Sequence, residues 1–113
     1  MANDVIEWRC DRCEVTARWM PESESCGLPT TWAEEDDAVF CLACRRALAG
    51  EAAIQAVGTS MSLEGRARAR KAATIEFEIG RAADHPNQVI ARACGTSAAV
   101  VARTRQRLAQ PAL

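Results

Sequence analysis

The sequence predicts an α+β chain, with a small β-hairpin module at its N-terminal end followed by an all-α domain. Three observations point there. Residues 14–19 alternate, with Val15, Ala17 and Trp19 set against Glu14, Thr16 and Arg18, which is the two-residue period of a strand. Beyond residue 62, Ala72, Ile75, Ile79 and Ala82 recur at spacings of three and four, the period of a helix with one apolar stripe. Four of the five aromatic residues, Trp8, Trp19, Trp32 and Phe40, fall in the first 40 positions, so the bulky apolar volume is concentrated in the N-terminal module.

Along the chain, residues 5–9 read as a short extended segment and residues 14–19 as a strand. Residues 20–37 hold Pro21, Gly27, Pro29 and many Ser, Thr, Glu and Asp, which predicts a loop whose acid run, Glu34 to Asp37, is solvated. Residues 38–41 form a second apolar run. Residues 42–50 are expected to continue as a helix, residues 51–57 have helical propensity, and Gly58 ends it. The division is therefore drawn as a domain over 1–50, a linker with a short helix over 51–62, and a helical domain over 63–113. Ser62 is placed to cap a long helix over residues 64–83, with Phe77 off its apolar stripe and in need of a second surface. Pro86 suits the start of the next helix, residues 87–94. Gly95 ends that helix, and Ser97 caps a last one reaching about residue 108.

The net charge of −1 hides a split. Residues 1–60 carry 11 acidic and 5 basic side chains, and residues 61–113 carry 4 acidic and 9 basic ones. Such asymmetry separates a metal-bearing or protein-facing part from one that meets a polyanion. The N-terminus has no basic segment leading into an apolar run, and no apolar stretch is long enough to span a bilayer. The chain is therefore expected in the cytoplasm, where its six cysteines would stay reduced and be free to ligate metal.

Four of those cysteines fall in two Cys-x-x-Cys pairs, Cys10 with Cys13 and Cys41 with Cys44. Each pair can turn both sulfurs to one point, and two pairs make a closed tetrahedral site of the kind that takes one structural Zn2+. A fully thiolate-ligated metal has no open position, so no catalytic role is expected of it. Two local disulfides, a redox-active pair and an iron centre are the other chemistries open to such cysteines. Cys26 reads as a free loop thiol, Cys94 as a small core hydrophobe, and His85 as a surface or capping residue beside Asp84. Trp8-x-Cys10-x-x-Cys13, Leu28-Pro29-x-x-Trp32 and Phe40-Cys41-x-x-Cys44-Arg45 together resemble the zinc-ribbon modules of small bacterial and phage proteins. The resemblance covers residues 6–46 and implies a β-hairpin fold with a tryptophan packed beside the metal.

Residues 87–106 are similar to the bacterial helix-turn-helix motif over its whole length. Ala91 stands where the two helices must approach closely, Gly95 where the turn needs a left-handed backbone, and Ile90, Cys94 and Val101 at apolar positions. Thr96 and Thr104 depart from the usual aliphatic residues. The resemblance implies that Ser97, Ala98, Ala99, Ala102, Arg103 and Gln106 face a DNA major groove. Arg103 and Gln106 have the chemistry for guanine and adenine edges. Arg92, Arg105 and Arg107, with Arg66, Arg68, Arg70 and Lys71, would meet phosphates. The expected function is that of a bacterial or phage transcriptional regulator bound to double-stranded DNA. It would act as a homodimer marked by Phe77, with the ribbon free for a protein partner. A zinc-dependent adaptor without DNA binding is the alternative, and a thiol redox protein the third. No glycine-rich phosphate loop or nucleophile with a nearby base argues for an enzyme.

Overall fold

The computed structural model describes residues 6–19 and 27–110. The expectation for Cys26 lies outside those residues. The chain divides into two compact units, Met1–Arg45 and Arg46–Leu113, and the division falls inside the first helix.

In the first unit, β1 (Ile6–Arg9) and β2 (Thr16–Trp19) pair antiparallel, with Trp8 opposite Ala17 and Ile6 opposite Trp19. Glu7 and Arg18 face each other across the ladder and form an ion pair at 2.9 Å. A second hairpin joins β3 (Ala33–Glu35) to β4 (Ala38–Phe40). Here the structure departs from the sequence reading, which put residues 33–35 in a loop. Asp36 and Asp37 both have positive φ, 49° and 69°, the conformation of a tight two-residue turn whose twist suits flanking strands. Aspartate tolerates that backbone because its short polar side chain hydrogen-bonds locally. The acid run is thus the turn of a hairpin.

From β4 the chain enters α1 (Leu42–Val57), one uninterrupted helix. The second unit is completed by α2 (Leu63–Arg81), α3 (Asn87–Cys94) and α4 (Ala98–Ala109). Their ends follow the local chemistry. Ser62 Oγ accepts from Gly65 N–H, and Ser97 Oγ accepts from Val100 N–H, each satisfying an otherwise unpaired donor of the first turn. Gly95 closes α3 in the left-handed conformation at φ 68°. Ile75 and Ile79 of α2, Ile90, Ala91 and Cys94 of α3 and Val101 of α4 form the core, with Val100 packed at its edge.

At Gly95 a Cβ would meet Lys71 Nζ at 3.5 Å, an ordinary contact, so the backbone alone resists substitution. Gly95→Ala should cost about 1–2 kcal/mol and lower the thermal midpoint of the helical unit by roughly 4 °C or more. Circular dichroism at 222 nm reads that change, and an unchanged midpoint would contradict the turn geometry.

Candidate metal centre and the outer helical face

Four sulfurs meet in the first unit. The Sγ atoms of Cys10, Cys13, Cys41 and Cys44 all lie within 4.8 Å of one another. Local geometry brings them there. Cys10 N–H donates to Val15 O at 2.9 Å and Glu14 N–H to Cys10 O at 3.0 Å, folding residues 10–15 into a tight knuckle between β1 and β2. Glu14 takes the left-handed conformation, φ 68°, that lets the chain turn back, and its carboxylate pairs with Arg9. Asp11 joins this knuckle to the second hairpin twice. Its N–H donates to Val39 O at 2.8 Å, and its Oδ2 accepts from Val39 N–H at 2.6 Å. Cys41 and Cys44 follow directly, flanking the start of α1, and Cys41 N–H points at Cys10 Sγ from 3.4 Å. Trp32 and Phe40 pack against the cluster, and Arg45 Nη1 holds the preceding loop by donating to Thr31 O at 2.6 Å.

The donor set and its spacing fit a metal. A disulfide needs about 2.05 Å between sulfurs, whereas Cys13 Sγ and Cys41 Sγ stand 3.7 Å apart. Tetrahedral ligation at about 2.3 Å sets ligand sulfurs about 3.8 Å from each other. The electrostatics agree. Burial pushes the Cys10 thiol up, but backbone N–H groups of Cys13, Cys41 and Arg12 and the thiol of Cys44 outweigh it and hold Cys10 at about 6. Cys44 is driven the other way, to about 12, first by burial and then by the neighbouring thiols of Cys13, Cys10 and Cys41. Negative charge cannot accumulate on all four without a cation among them. The cluster can hold one metal ion, and sulfur donors alone suit zinc.

Comparison with protein-family models, with curated proteins and with solved structures finds no match to this chain.

In the second unit, the side chains assigned by sequence to the core are buried, and those assigned to an outer face are exposed or half-buried. Ile90, Ala91, Cys94, Val101 and Thr104 are buried, and Thr104 meets the demands of that site by donating its hydroxyl to Val100 O at 2.9 Å. Ser97, Ala99, Arg103 and Gln106 are exposed, as is Arg92, while Ala98 and Ala102 are half-buried. Burial pushes the Cys94 thiol up, with the Glu78 carboxylate adding to the effect.

Three cations read from sequence as phosphate contacts have intramolecular partners. Arg105 donates to Asn87 Oδ1 at 2.6 Å, His85 O at 2.7 Å and Ala83 O at 3.1 Å, gripping the start of α3. Lys71 Nζ donates to Cys94 O at 3.1 Å and Gly95 O at 2.9 Å, capping its end. Arg107 forms an exposed pair with Glu76 at 2.9 Å. Sequence reasoning also missed Glu78, which is buried between Arg46 and Arg81 at 2.7 and 2.5 Å. The available signal was its place on the buried side of α2, three residues after Ile75 and one before Ile79. No helix among the described residues is long and apolar enough to cross a membrane.

Proposed function

We propose that the chain is a DNA-binding protein, a transcriptional regulator of bacterial or phage type, in which α3 and α4 form a helix-turn-helix and one structural zinc organises a ribbon-like N-terminal unit. The observation that carries the DNA reading is the sorting of α4. Val101 and Thr104 are turned into the core, and Ser97, Ala99, Arg103 and Gln106 stand outside, beyond a left-handed glycine turn. Small residues at the start of that face permit close approach to a groove, and Arg103 and Gln106 follow with base-reading chemistry. Arg92 and Arg103 are the leading phosphate or base contacts. Arg105 serves instead to position α3, and Arg107 must leave Glu76 before it can contact a phosphate. With four thiolate ligands the zinc has a structural role, and no catalytic residue enters the reading.

Fluorescence anisotropy with mixed-sequence duplex DNA tests this directly. Affinity should fall at least tenfold between about 50 and 200 mM salt, and Arg92→Ala should flatten the salt slope by about one. Arg105→Ala should lower thermal stability with little change in slope. No retention at the lowest salt would remove the DNA reading and leave a zinc-dependent protein adaptor.

A further inference from the structure

The four clustered sulfurs of the first unit are not equally accessible. Cys10 is 0% exposed, Cys44 4% and Cys41 7%, whereas Cys13 stands on the surface. Their places in the fold account for the difference. Trp32 and Phe40 pack against the cluster formed by Cys10, Cys41 and Cys44, and Cys10 Sγ accepts the Cys41 N–H at 3.4 Å. Cys13 lies in the turn of its knuckle, just before Glu14 reverses the chain. Across the two knuckles its Sγ is 3.7 Å from Cys41 Sγ. Metal ligation makes each of the four a thiolate, so charge does not choose among them and access does. Cys94 of the second unit is buried, and burial pushes its thiol up, which keeps it in the unreactive protonated form.

We propose that Cys13 is the site at which a hydroperoxide modifies this chain, and that Cys41 converts the product into a disulfide that opens the metal centre. The inference rests on the metal reading of the cluster. In the first step the Cys13 thiolate attacks one peroxide oxygen. An S–O bond forms, the O–O bond breaks, and hydroxide leaves with the electron pair, which makes Cys13 a sulfenic acid. In the second step the Cys41 thiolate attacks the Cys13 sulfur. The S–S bond forms, the S–O bond breaks, and a second hydroxide leaves. The two sulfurs together give up two electrons, the peroxide is reduced to two hydroxides, and these take protons from solvent. Cys10 is the poorer second nucleophile, because its sulfur already accepts an N–H. The disulfide leaves Cys10 and Cys44 as the remaining thiolates of the cluster, too few to close a tetrahedral site. A unit whose described core is these sulfurs then loses its shape, and a thiol reductant restores it.

Hydrogen peroxide titration of the full wild-type chain, loaded with zinc, tests the inference. Zinc release is followed with a chromogenic chelator. Modified cysteines are located by peptide mass, with and without a cyclic 1,3-dione to trap sulfenic acid. The trap should mark Cys13 first, and without it a Cys13–Cys41 disulfide should appear as zinc is lost. Dithiothreitol with added Zn2+ should reverse both changes. Cys41→His keeps a metal ligand but no second thiol, and should accumulate trapped Cys13 without that disulfide. Cys13→His should slow zinc release by about tenfold, since the exposed ligand can no longer form a sulfenic acid. A first mark on any other cysteine, a disulfide confined to one Cys-x-x-Cys pair, or zinc retained through excess peroxide would each overturn the inference while leaving the metal centre standing. A purified chain that takes up no zinc fails the metal reading before peroxide is added, and this inference goes with it.

Discussion

Chelating the metal should unfold the N-terminal unit and leave helix in the rest. The buried cluster of that unit is Cys10, Cys41 and Cys44, with Trp32 and Phe40 only partly covered against it. Two hairpins of three or four residues per strand cannot hold themselves in water. Among the described residues the core is therefore the ligand set itself, so a metal held there would supply most of the folding free energy, roughly 10–16 kcal/mol if it is zinc at neutral pH. Cys10→Ser should have nearly the same effect as chelation, since it removes the most buried ligand. All three tryptophans, Trp8, Trp19 and Trp32, belong to this unit. Their emission should shift to the red on chelation and recover when Zn2+ is added back. The ellipticity at 222 nm, dominated by α2, α3 and α4, should largely persist. Tryptophan emission indifferent to a strong chelator would remove the metal from the account.

The second large effect is expected at Glu78, whose side chain is 2% exposed and bridges Arg46 and Arg81. Burial pushes this carboxyl up, but hydrogen bonds from Arg81 and Arg46 and their charges outweigh it and hold it at about 2, against an ordinary 4.5. A lowered folded value means that the carboxylate contributes its full stabilisation above about pH 4.5 and loses it as the pH falls toward 2. The interval corresponds to about 3 kcal/mol. The helical unit should therefore lose stability progressively below pH 4.5. Glu78→Gln should keep the shape but remove this dependence. Glu78→Ala should be worse, at about 3–5 kcal/mol, because it leaves two guanidinium groups facing each other with little water. Urea denaturation followed at 222 nm, repeated from pH 7 to 3, reads both effects. A Glu78→Gln protein with the wild-type acid response would show that the titration lies elsewhere.

Local chemistry made part of this structure legible in advance. Cysteine pairs at two-residue intervals announce a four-sulfur site because the spacing itself orients the ligands. Ser62, Ser97 and Gly95 mark helix ends because they satisfy, or turn away from, specific backbone groups. The strand at Ala33–Glu35 was hidden because the turn that creates it is made of Asp36 and Asp37, which in sequence look like any solvated acid run. The roles of Arg105, Lys71 and Glu78 were hidden for a different reason. Their partners lie between 20 and 32 residues away in most cases, and charge counting assigns a cation to solvent or phosphate until folding supplies a nearer acceptor.

The grip on α3 has a wider consequence. At eight residues it is far too short to persist as an isolated peptide. Yet a guanidinium from a neighbouring helix pins its first turn, and an ammonium from another pins its last. The shortest helix among the described residues is thus held at both ends. Whatever meets the surface carried by α3 and α4 meets it already ordered, and little conformational entropy is left to surrender on association.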